Sequence, residues 1–88
     1  MTKLEIIRNK AHTSLTLKNA YVKLKRIAAG KENWKLMDEY SNMAFTYTSK
    51  AKAYNDCLEL FGENAEETDE ISSIIFKDEM KRLYKQEK

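Results

Sequence analysis

Apolar residues recur at three- and four-residue steps along most of the chain, and the pattern is interrupted at two places only. In the middle stretch, Leu36, Tyr40, Met43, Tyr47, Ala51, Tyr54, Leu58 and Phe61 follow one another at those steps. At roughly 100° per residue they share one face, which predicts a long amphipathic helix whose seam meets another helix. The first stretch carries two stripes: Leu4, Ile7, Ala11, Leu15 and Val22, then Ile6, Leu17, Ala20, Leu24, Ile27 and Ala28. A helix apolar over so much of its girth is expected to be contacted from two directions. Only Glu5, Arg8, His12, Thr16, Asn19, Lys23 and Arg26 form a purely polar arc. Further on, Ile71, Ile74, Ile75, Phe76, Met80 and Leu83 predict a shorter amphipathic helix.

The interruptions coincide with the two glycines, Gly30 and Gly62, in a chain without proline. Each glycine follows a helical pattern and reads as the left-handed residue that closes it. The single domain, 1–88, then divides into helices over about 3–29, 34–61 and 65–86. Thr2 with Glu5 has capping-box spacing, Asn33 can cap the second helix, and Asn64 with Glu67 repeats the box before the third. The weakest helical run is His12-Thr13-Ser14-Leu15-Thr16, where hydroxyl and β-branched side chains compete with the ladder. A break there would let each half of the first helix present its own stripe. The expected fold class is all-α: a long antiparallel helical hairpin plus a shorter third helix.

Such a hairpin buries one stripe per helix and leaves apolar groups over. The first helix has its second stripe, and Trp34 and Phe45 lie on the far side of the second helix from its seam. Burying a large side chain is worth about 1.5–3 kcal/mol, so assembly into an oligomeric helical bundle is expected, most simply a homodimer. Trp34, Met37 and Phe45 form a candidate protein-contact patch, because aromatic residues dominate binding hot spots. Trp34, at the start of the second helix, reads equally, and in preference, as folding back over the Gly30 turn as a lid on the core.

The stretch Tyr54-x-x-Cys57-Leu58-x-x-Phe61-Gly62, with the opening Met1-Thr2-Lys3-x-Glu5, resembles the helix ends of the plasmid repressor-of-primer family. The likeness covers a small part of the chain, and the third helix has no counterpart in that family. It implies dimeric helical hairpins, and through them an expectation of binding to paired RNA loops.

The net charge of +2 conceals a polarity along the sequence. Residues 1–31 hold eight Lys/Arg against one Glu, whereas residues 63–88 hold five basic against eight acidic groups. Two consequences compete. The basic first helix can lie beside acidic stretches of its own or a partner chain, or it can track a phosphate backbone. In the second case Arg8, Asn19, Tyr21, Lys23 and Arg26, with Lys18 and Lys25, are the candidate nucleic-acid or anion contacts.

Catalytic chemistry is not expected. The chain has one histidine, His12, on the polar arc, and one cysteine, Cys57, at the edge of the second seam, where it reads as a small apolar packing residue. No glycine-rich loop is present to cradle phosphate. Glu63, Glu66, Glu67, Asp69 and Glu70 lack the alternation that wraps a calcium ion and read as helix-start charge. No cofactor, metal site or catalytic residue is therefore assigned. No apolar run is long enough for a membrane span or a secretory signal, and a lone cysteine suits a reducing, cytoplasmic setting. The sequence reads as a non-enzymatic binding protein that modulates or inhibits a partner protein, in the manner of a bacterial or phage accessory factor. The alternatives are an RNA- or DNA-binding helical dimer using the first helix, and sequestration of a small anionic nucleotide between subunits.

Overall fold

The structure, a computed structural model, describes residues 2–85. Three helices, α1 (Lys3–Gly30), α2 (Trp34–Glu59) and α3 (Asp69–Lys85), make up an all-α fold with no strand among the described residues. The described chain is elongated, with extents of 48 × 21 × 15 Å. α1 starts where the Thr2 hydroxyl accepts the Glu5 amide at 3.2 Å, and α2 starts where the Asn33 side chain accepts the Leu36 amide at 3.2 Å. α1 is continuous through His12–Thr16, so no break separates its two stripes.

The end of α1 differs from the expectation at Gly30. The helix runs through Gly30, and the left-handed residue is Glu32, with φ of 57°. The Asn33 amide donates to the Ala28 carbonyl at 2.9 Å and the Glu32 amide to Ala29 at 3.0 Å. This pair of bonds is a Schellman closure with a glutamate in the position that glycine normally fills. The same closure ends α2: Glu63 donates to Leu58 at 3.1 Å and Gly62 to Glu59 at 3.0 Å. There Gly62 does occupy the left-handed position, with φ of 75°. Phe61, placed by periodicity in the second seam, lies past the helix end and is exposed.

The third helix begins later than residue 65. Residues 63–68 form no helix or strand and α3 starts at Asp69, with the first helical bond from Ser72 to the Thr68 carbonyl at 3.1 Å. The box expected from Asn64 and Glu67 is not the cap. The expected end at 86 falls outside the described residues.

Leu24 and Ala28 of α1, Leu36 and Tyr40 of α2 and Leu83 of α3 form one buried cluster, with Tyr21, Ile27, Met37, Ile75, Phe76 and Met80 against it. Toward the other end, Ala11 and Ser14 of α1 and Ala44, Ala51 and Leu58 of α2 are buried. Small residues at these positions let the two helix backbones approach closely. α1 is contacted by α2 and also by the chain beyond Gly62, which accounts for its two stripes.

Moving the closing residue should raise stability. We expect Glu32→Gly to add about 1 kcal/mol by removing a left-handed side chain. Gly30→Ala, where a Cβ meets nothing within 4 Å, should add about 0.5 kcal/mol. Gly62→Ala should cost about 1 kcal/mol, because its φ is positive. Chemical denaturation of the three variants checks the signs.

Candidate functional site

The middle of the polar arc of α1, from Arg8 to Asn19, is not a solvated face. Arg8, His12, Thr16 and Asn19, spaced by four, four and three residues, each hold part of the segment 63–68, which lies along the helix as a strap. Arg8 grips Glu63 with two bonds, Nε to Oε1 at 2.6 Å and Nη2 to Oε2 at 2.9 Å. His12 Nδ1 accepts the Glu66 amide at 2.9 Å, an arrangement that puts the ring proton on Nε2. Asn19 donates to Glu67. Thr16 is 1% exposed; its hydroxyl donates to the His12 carbonyl at 2.7 Å and accepts the Thr68 amide at 2.7 Å. From α2, Asn55 accepts the Ala65 amide at 2.7 Å. Three strap amides that lie outside any helix or strand are thus satisfied by side chains of two helices.

Electrostatics follow this geometry. The hydrogen bond from Arg8, assisted by its charge, holds the Glu63 carboxyl below the ordinary carboxylate range, and the same pair raises the guanidinium's affinity for its proton. The acidic run that follows α2 therefore lies against the basic first helix of its own chain.

A second polar constellation ties α2 to α3. The Tyr40 hydroxyl donates to Glu79 Oε2 at 2.8 Å. Arg82 bonds Glu79 Oε2 at 3.0 Å and Glu39 Oε2 at 2.9 Å. Tyr21 stacks on Tyr47, with ring centroids 6.0 Å apart and planes 5° apart, and leans on Tyr40 at 6.0 Å. Burial, then the Glu79 hydrogen bond, pushes the Tyr40 phenol well above the ordinary tyrosine range; burial does the same, more weakly, for Tyr21. Apart from Tyr47, these groups line a cleft of about 380 Å³ together with Asn42 and Met43. Arg82 is shared between two carboxylates and Tyr40 is fixed as a donor, so the arrangement is a tie between helices rather than a poised acid–base pair. Sequence reading did not find it; the Glu39-Tyr40 pair and the Glu79-x-x-Arg82 spacing were its only trace.

The candidate anion residues do not form one open face. Arg8 and Asn19 are engaged by the strap carboxylates, and Tyr21 is half-buried in the ring stack. Lys23, Lys25 and Arg26 remain exposed, while Lys18 lines a groove with Lys52 and Asn55 of α2. The candidate protein-contact residues also separate. Met37 turns inward onto the core cluster, whereas Phe45 is 76% and Trp34 57% exposed on the outer face of α2. At that exposure Trp34 does not close the core as a lid. Cys57 is exposed, so its expected packing role at the seam edge is not realised. Among the described residues, no group of three or more His, Cys, Asp or Glu could hold a metal ion. None of the described helices is long and apolar enough to cross a membrane.

Thr16→Val keeps the shape of the side chain and removes both hydroxyl bonds, stranding the Thr68 amide. It should cost about 1–3 kcal/mol in chemical denaturation, with Thr16→Ser close to the parent. The Glu63 contribution has a defined sign in pH. Because the folded state lowers its pKa, the stability it adds is complete above the unfolded carboxylate value of about 4.3 and is lost as pH falls further. The denaturation curves of the parent and Glu63→Gln should therefore differ at neutral pH and converge in acid.

No protein-family model, curated protein or solved structure matches this chain, so the reading of its surfaces rests on their own geometry.

Proposed function

We propose that the protein acts by binding another protein, without chemistry of its own, through the outer face of α2. The observation that carries this reading is Phe45, 76% exposed in the middle of a long helix whose opposite face is buried. A large aromatic side chain held on a rigid helix with little internal packing is a ready anchor, since its contact area costs little conformational entropy to present. Trp34 adds a second anchor on the same outer face. In this reading α1 and α2 form the long antiparallel helical hairpin, α3 and the strap brace it, and the apolar surplus is covered by assembly into an oligomer. A reducing, cytoplasmic setting and the role of a small modulator of a bacterial or phage partner complete the proposal.

The competing reading, an RNA- or DNA-binding surface on α1, keeps Lys23, Lys25 and Arg26 but finds Arg8 and Asn19 occupied by carboxylates. Anionic nucleotide sequestration faces the same occupancy. The protein-contact reading has the firmer geometric support.

A photo-crosslinking residue at Ser49, beside Phe45 and exposed, tests it in the cells that make the protein. A discrete protein adduct, lost on Phe45→Asp with helicity unchanged, is the expected result. Adducts confined to nucleic acid, or none, would overturn it.

A further inference from the structure

The outer face of α2 has an internal symmetry that identifies what covers it. Tyr40 through Ser49 is a run of ten residues without a charge, in a chain that is 34% charged. Phe45 stands near its middle, with Ser41 and Ser49 four residues to either side. On the stripe of Phe45 itself the first charges beyond are Asp38, seven residues before, and Lys52, seven residues after; the exposed Lys50 lies off this stripe, over the Tyr47 ring. Seven residues are about 20° short of two full turns, so Asp38, Phe45 and Lys52 fall along one stripe. Both charged residues are exposed, and neither has an ion-pair or hydrogen-bond partner among the described residues. Fourteen residues of helix separate them by about 21 Å, too far to pair within one chain.

We propose that this face pairs with the same face of a second copy, the two α2 helices running antiparallel about a two-fold axis at Phe45. This rests on the reading of the α2 face as a protein-contact surface and takes a second copy as its occupant, so a different partner reaches the face only by displacing that copy. In such a pair, residue 45 meets its own equivalent, Ser41 meets Ser49, and Asp38 of each copy meets Lys52 of the other. The contact is isologous, as a two-fold demands. The two phenylalanines supply the apolar centre, and the serines beside them are small enough for close approach of the helices. A parallel pairing would set Asp38 against Asp38 and Lys52 against Lys52, so charge selects the antiparallel register. Trp34 lies opposite Asp56 at the rim, where its indole N–H has a carboxylate within the same face.

Mass in solution by light scattering and sedimentation, over a concentration series, tests the pairing, with circular dichroism as the control for folding. The parent should be dimeric. Asp38→Lys and Lys52→Asp alone each set like charges together twice, and each should weaken the dimer by about tenfold or more. The double reversal Asp38→Lys with Lys52→Asp restores both pairs and should return the affinity toward the parent. Phe45→Ala should weaken the dimer most. A parent that stays monomeric overturns the pairing, as does a dimer indifferent to all four changes or a double variant no tighter than the singles. A monomeric parent that still gives a Ser49 adduct with a different protein removes this pairing and leaves the contact surface standing. If that adduct is missing as well, both readings fall.

Discussion

A segment without helix or strand, laid along a helix, must find acceptors for its amides outside itself, and the arrangement of this protein depends on where those acceptors are. Between Gly62 and Asp69 the chain makes no helix of its own, yet Ala65, Glu66 and Thr68 all donate to side chains of α1 and α2. Thr16 is the centre of this arrangement. Its hydroxyl bonds its own helix and the strap together, in a position that is almost fully buried. The Arg8–Glu63 fork adds direction more than stability, since both partners remain partly in solvent. Once the strap is fixed, the start of α3 is fixed, and Leu83 reaches the cluster formed by Leu24, Ala28, Leu36 and Tyr40.

The helices themselves were legible in the sequence because their signals are local. Apolar steps of three and four residues, with Thr2 and Asn33 at the starts, placed α1 and α2 within a residue or two. The first departure was at Gly30, where the closing position is set by the last carbonyls available and not by the nearest glycine; Glu32 accepts the left-handed conformation instead. The second was the strap. Glu63, Glu66 and Glu67 have the composition of a helix start, and nothing local reveals that Arg8, His12, Thr16 and Asn19 wait for them some fifty residues earlier. The run His12–Thr16 shows the same effect in reverse. Read locally it is a weak stretch of helix; in the fold its hydroxyl and imidazole are the hardware that docks another segment.

The site was legible in part for the same reason. Exposure of Phe45 follows from helical phase alone and matches the expected far side of the seam, whereas Trp34, expected as a lid over the Gly30 turn, keeps the outward phase of its helix instead. Met37 and Cys57 do not follow, because whether a position at the edge of a stripe is covered depends on α3 and on chain length beyond α2. The basic surface of α1 also changed in character. Its cations are plain in the composition, but the acidic run of the same chain lies on part of that surface, leaving the exposed charge toward Lys23, Lys25 and Arg26. The outer face of α2 is left with Phe45 exposed within an uncharged run, Tyr40 to Ser49, opposite a packed core.

The strap is the element on which this account stands, and native-state hydrogen exchange reads it residue by residue. The Thr68 amide, bonded to the buried Thr16 hydroxyl, should exchange as slowly as amides in the middle of α1, with Ala65 and Glu66 also protected. Exchange of all three at the rate of an unstructured peptide, while α1 and α2 stay protected, would show that the segment does not lie on α1 and would contradict the account.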